Sequence, residues 1–197
     1  MNTPLLSAAA HRARTLLSTQ LSTEHRYHNI GHTESVVAAV ELLGTRAGLP
    51  EATLEKLLLA AWFHDTGFVR TYTGHEEVSQ ELLEEFLRAQ GYPTDYVPPA
   101  YIAVTHAEQV PADLATGILK DADYNNLGSA EYFTATRNLR YEWTHFLQRT
   151  FTDRGWLSYC VQFLQTHQYY TPAGLKLFGP RKAVHLRKML DLYKEAK

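Results

Sequence analysis

The sequence predicts an all-α fold, a bundle of six to eight helices around one core. Three observations carry this expectation. Apolar residues recur three and four apart along almost the whole chain, helix breakers fall between those stretches, and no segment sustains strand alternation or repeats internally.

The elements follow in order. Met1 to Gln20 carries His11, Arg12 and Arg14 within its apolar stretch, the pattern of a short amphipathic helix rather than of a cleaved leader. Val36, Val40 and Leu43 make the next stripe, and Leu57, Ala61 and His64 make another at i, i+4 and i+7. Pro50-Glu51 opens that third segment, with an acidic residue in the favourable first turn. Gly74-His75-Glu76-Glu77 opens the segment holding Val78, Leu82 and Phe86. Leu186, Leu190 and Tyr193 form the last stripe. Breaks are expected at Gly44 to Pro50, Gly67, Gly91 to Pro93, Pro98-Pro99, Pro111, Gly128, Gly155 and from Pro172 to Pro180. The connection from Asp65 to Gly74 is polar, the kind of loop that a rigid helical frame positions for function.

Composition narrows the functional classes. The 197 residues suit one domain, and 45% hydrophobic with 20% charged residues is an ordinary globular balance. Lys plus Arg number 19 against 21 Asp plus Glu, so the basic excess needed to coat a nucleic-acid polymer or an anionic membrane is missing. A small phosphorylated substrate stays compatible, since one or two local cations suffice for it. The lone cysteine, Cys160, reads as a small core residue among Tyr159, Val161 and Phe163, and a chain without a possible internal disulfide suits the cytoplasm. No apolar run reaches the length of a membrane span.

Chemistry concentrates in the histidines. Of ten, His25, His28, His32, His64 and His75 fall within residues 25 to 75, and His106 follows. His64-Asp65 ends the apolar run Leu57 to Phe63, and helical spacing turns His64 inward with Leu57 and Ala61. A buried pair of this kind is costly unless a cation or hydrogen bonds match it, and imidazole with carboxylate is a good donor set for Mn, Fe, Co, Ni or Zn. Upstream stands Tyr27-His28-Asn29-Ile30-Gly31-His32, and downstream Leu119-Lys120-Asp121-Ala122-Asp123.

These four ordered motifs, Tyr-His-Asn-x-x-His, Ala-Trp-Phe-His-Asp-Thr-Gly, Gly-His-Glu-Glu-x-Ser and Lys-Asp-Ala-Asp, resemble the HD superfamily of metal-dependent phosphohydrolases, in its small bacterial branch. The resemblance implies one HD-type domain over residues 1–197, with a motif core at about 25–128 and C-terminal helices over 129–197. It implies a divalent metal ion (Mn, Ni, Co, Fe or Mg) held by His32, His64, Asp65 and Asp121. The implied reaction is cleavage of a phosphate ester or anhydride of a small molecule, a nucleotide at family level, by metal-activated water. Asp65, His75 and Glu76 are the expected catalytic residues, and Lys120, Arg140 and His106 the expected substrate contacts. Arg140 falls in a stretch similar to the family's Arg-x-Glu motif, beside Glu142.

Where the family often has Asn and Lys, this chain has His75 and, near Thr105, His106, which would serve a second metal, substrate contact or plain helix-end solvation. The Tyr27-His28-Asn29 turn would hold ligand imidazoles in place or pack under the first helix. Three other readings stay open: a di-iron oxygenase on the same fold, a metal-stabilised module that senses a nucleotide or binds a protein partner without turnover, and a helical bundle with incidental histidines that holds no stoichiometric metal. Oligomeric state is not legible.

Overall fold

Local signals in the sequence place most helix starts. In a computed structural model describing residues 1 and 3–196, Thr3 accepts from Leu6 N to open α1 (Pro4–Thr19). Asn29 accepts from Gly31 N and His32 N to open α2 (Ile30–Arg46), and Pro50 precedes α3 (Glu51–Phe63). Gly74, at φ +71°, leads into α4 (His75–Ala89), followed by the single turn α5 (Ala100–Ala103). A reciprocal capping box of Asp113 and Thr116 opens α6 (Leu114–Asp123). α7 spans Tyr132–Leu147, Thr152 caps α8 (Asp153–Thr166) and Thr171 caps α9 (Pro172–Glu195). Three 3₁₀ turns, Thr66–Val69, Thr94–Tyr96 and Tyr124–Gly128, complete the elements, and no strand occurs among the described residues.

The all-α expectation holds, with two differences. There are nine α-helices among the described residues rather than six to eight. The added count comes from elements such as α5, a single turn pressed between Pro99 and Thr105 that periodicity cannot register. The expected break from Pro172 to Pro180 is instead the first third of the longest helix. Pro172 sits at a helix start, where its missing N–H costs nothing. Pro180 forgoes one interior hydrogen bond, and α9 stays whole because packing on both halves outweighs that loss.

α3 is the axis of the larger core. Leu54 and every residue from Leu57 to Phe63 are buried, so this helix is apolar all round, as a central helix must be. α1, α2, α4, α5 and α6 surround it. A second cluster gathers Leu127, Tyr132, Trp156, Cys160, Leu164 and Met189 from the last 3₁₀ turn and α7 to α9. α9 ties the two together: Ala173, Leu177 and Phe178 pack on the first, and Leu186, Met189 and Leu190 on the second. Because α3 ends at Phe63, its next residues, His64 and Asp65, emerge in the middle of the molecule. No helix among the described residues is long and apolar enough to cross a membrane.

Candidate metal centre

Three helix ends deliver the site. Asn29 caps α2 and so fixes His32 in its first turn. α3 closes with Thr66 Oγ1 donating to Phe63 O, which sets His64 and Asp65 beside α2. α6 ends at Asp123. Within the cluster His32 Nε2 lies 3.3 Å from Asp65 Oδ2 and 3.1 Å from Asp123 Oδ1. His64 Nε2 lies 3.2 Å and 3.6 Å from the same two oxygens, and 3.4 Å from His32 Nε2.

This donor set fits a divalent cation. Donors about 2.0–2.2 Å from a first-row ion lie about 3.0–3.6 Å from their neighbours, the range these pairs occupy. His64 Nδ1 donates to the Ala61 carbonyl at 2.8 Å. A carbonyl only accepts, so a proton sits on Nδ1 and Nε2 is the nitrogen turned to the cluster. Asp65 Oδ2 is buried and has no properly directed hydrogen bond, although two ring nitrogens stand close by. His32, His64 and Asp65 hold their ligand atoms within 4.8 Å of one another, the clustering a cation organises, and Asp123 Oδ1 approaches the two histidines. Burial opposes charge on His32, yet the carboxylates of Asp123 and Asp65 carry it up to about 9. His64 is raised well above its usual value against the same burial. Asp65 and Asp123 are lowered in turn, their partners overcoming desolvation.

Asp123, and not Asp121, completes the cluster, which corrects the ligand set expected from the sequence. Two residues on a helix point to opposite faces. Asp121 turns toward α9, where it accepts from Tyr170 N at 2.7 Å, Thr171 N at 2.9 Å and Thr171 Oγ1 at 2.6 Å. Burial pushes its carboxyl up in spite of these bonds. Both acids stood in the quoted motif, and only the helical phase of α6 tells them apart.

The expected second ring of residues divides. His75 Nε2 is 3.5 Å from the other oxygen of Asp65, and its ring stacks on Phe68 at 3.7 Å. Glu76 stands beside it, with Oε2 3.5 Å from His75 Nδ1. Both line the cavity that opens onto the cluster, as does His106. Lys120 does not reach this cavity. It is buried, and its Nζ donates to the Val104 and His106 carbonyls at 2.9 and 2.6 Å, closing the end of α5. Arg140 lies elsewhere too, donating to Asp153 at 2.7 Å and to Phe151 O at 2.6 Å. Both cations are consumed by structure, which corrects their expected substrate role.

Gly67 explains how His75 comes so close. A Cβ there would stand 2.0 Å from His75 O, and Gly67 N donates to Ser79 Oγ at 2.8 Å. The loop therefore lies flat against the start of α4 only because residue 67 has no side chain.

Glu142 was noted in the sequence only as a motif neighbour of Arg140. It is fully buried and accepts from Tyr27 N, His28 N, His28 Nδ1 at 2.6 Å and Tyr72 OH at 3.2 Å. His28 at its side holds the carboxyl below its usual range despite burial. His28 is thereby clamped through Nδ1, and Nε2 remains for the cavity its ring lines. The Tyr27-His28-Asn29 turn thus caps α2 and supplies a cavity histidine.

A family model described as HD domain matches residues 29–125, which begin at the α2 cap and end just past Asp123. Over the whole chain the structure is similar to the crystal structure of a Lactobacillus plantarum protein, a Northeast Structural Genomics target. The TM-score is 0.69 at 19% identity, covering 99% of this chain and 98% of that one. That likeness is one of fold. No curated protein matches the chain.

Proposed function

Since the chain belongs to the HD superfamily of metal-dependent phosphohydrolases, we propose that it hydrolyses a small phosphorylated molecule at this cluster, with His32, His64, Asp65 and Asp123 as metal ligands. The observation that carries the reading is the approach of those four side chains, His64 and Asp65 buried and His32 and Asp123 partly so, with Asp65 Oδ2 left without a directed hydrogen bond. A bound divalent cation supplies Lewis acidity there, lowering the pKa of water and offsetting charge on phosphoryl oxygens.

The chain's own groups do the rest. Asp65 lies between cluster and cavity, with Oδ2 toward His32 and His64 and Oδ1 toward His75 Nε2. His75, held between Phe68 and Glu76, orients that carboxylate and faces the phosphoryl end of the substrate. His28, clamped by Glu142 through Nδ1, turns Nε2 to the cavity, where a positioned imidazole can relay a proton to the leaving oxygen. The aromatic rings of the cavity keep bulk water from the phosphoryl group.

The test is metal content together with phosphate release from a panel of phosphate esters, with Mn, Ni, Co, Fe or Mg added in turn. Stoichiometric metal with release supports the reading. A folded chain that takes up no metal under any of these conditions defeats it. His75 within 3.5 Å of the second Asp65 oxygen favours one further reading, in which Asp65 and His75 would help hold a second ion and a pair of irons would supply oxygen chemistry. Two irons per chain with oxygen consumption and no phosphate release would select it.

A further inference from the structure

The cavity of about 370 Å³ continues past the cluster into a chamber walled by Tyr132, Leu139, Trp143, Trp156, Tyr159 and Phe163. Its rings pack on each other, Trp156 edge-on to Trp143 at 5.7 Å and stacked with Tyr159 at 5.5 Å. Cleaving a phosphate bond asks nothing of these residues, so what they fit is the organic part of the substrate.

Two observations define that part. First, no Lys or Arg lines the cavity, whereas Asp65, Glu76 and Asp123 do. A nucleoside triphosphate would bring a run of negative charges into an already acidic mouth with one cation to meet them. A single phosphate group is what that charge balance suits. Second, Trp156 Nε1 and Asn126 Oδ1, both on lining residues, are buried and have no hydrogen-bond partner. Trp156 is only 5% exposed. Both atoms are sealed from the open space of the cavity, so the surface a substrate meets there is mostly ring carbon.

We propose that the substrate is a phosphomonoester of a flat, largely apolar aromatic alcohol. This rests on the hydrolase reading above. Water forms a new P–O bond, the ester P–O bond breaks with its electron pair on the aryl oxygen, and that oxygen leaves as the alcohol after taking a proton. The products are inorganic phosphate and the aromatic alcohol. Stacked and edge-on rings supply the specificity, and the size of the cavity limits the substrate to one small ring system.

The experiment is calorimetric titration of the full chain with 4-methylumbelliferyl phosphate, 4-methylumbelliferone, ribose 5-phosphate and ATP, alongside phosphate release from each. The aryl phosphate should bind on the order of 10- to 100-fold more tightly than ribose 5-phosphate, and more tightly than ATP, the scale set by burying one ring. The free alcohol should bind as well, with a negative heat-capacity change. Trp156→Phe keeps a ring but shrinks the stacking face, and should weaken binding of 4-methylumbelliferone about threefold to tenfold. Preference for ATP or ribose 5-phosphate, or no binding of the free alcohol, overturns the proposal; if those esters are hydrolysed, the hydrolase reading survives. Tight binding of both umbelliferyl compounds without phosphate release under any metal keeps the chamber assignment and removes the hydrolase reading instead.

Discussion

Asp121 and Asp123, two residues apart on α6, serve opposite sides of that helix: Asp123 Oδ1 lies 3.1 Å from His32 Nε2, while Asp121 takes three hydrogen bonds from Tyr170 and Thr171. The pair separates the acid that faces the histidines from a structural one within a single turn. Gly174 confirms the tightness of the structural side, since a Cβ there would stand 2.3 Å from Asp121 Oδ2.

Asp121→Asn is therefore expected to destabilise the chain by about 1–3 kcal/mol, by setting an amide against two backbone donors at the start of α9. Metal uptake by the folded protein should stay intact. Denaturant unfolding with metal analysis on the same preparation checks both halves.

Gly67→Ala should push the loop after Asp65 away from α4, because its Cβ would overlap the His75 carbonyl. The expectation is a loss of about 2 kcal/mol or more from strain together with a large fall in kcat, as His75 moves off Asp65. Thermal unfolding and steady-state kinetics on the same sample measure it; wild-type kinetics in a folded Gly67→Ala protein would count against the role given to His75.

Glu142→Gln tests the clamp on His28. Gln keeps the shape, but with its carbonyl on the two backbone N–H groups its NH2 is set against His28 Nδ1 and Tyr72 OH, which now meet carboxylate oxygen. kcat should fall by about 10- to 100-fold with KM much less changed, and the pH–rate profile should shift, since a proton-transfer group has lost its orientation. A parallel rise in KM with kcat preserved would make Glu142 a binding element instead.

The pH dependence of stability has an identifiable contributor outside the metal centre. Burial, then the charges of Lys182 and Lys120, bring His167 down to about 4, among the rings of Tyr124, Phe163 and Tyr169. The unfolded chain, near 6.5, binds more protons between those values, so stability falls as pH drops from 6.5 toward 4 and is fully present above 6.5. His167→Gln should flatten that loss by about 1–2 kcal/mol after solvent screening. Denaturation midpoints of both proteins at pH 7 and 4.5 give the comparison.

The sequence carried the helical class and three of the four clustered side chains, because both rest on local pattern. Val36, Val40, Leu57 and Ala61 repeat at helical spacing and are all wholly buried, and His64-Asp65 ends the most apolar run. What it could not carry was phase and partnership. Choosing Asp123 over Asp121 needed the rotation of α6, and Pro180 looked like a break until packing on both sides of α9 was known. Lys120 and Arg140 read as substrate cations because sequence does not show the carbonyls and the carboxylate that occupy them. Glu142 was missed as a site residue since its partners, Tyr27 and His28, lie more than a hundred positions away.

The most direct test is metal per chain after reconstitution in the wild type, Asp123→Asn and Asp121→Asn. One or two divalent ions in the wild type and in Asp121→Asn, with uptake lost in a folded Asp123→Asn, is the result expected from the cluster. Retention by Asp123→Asn with loss in a folded Asp121→Asn would contradict it.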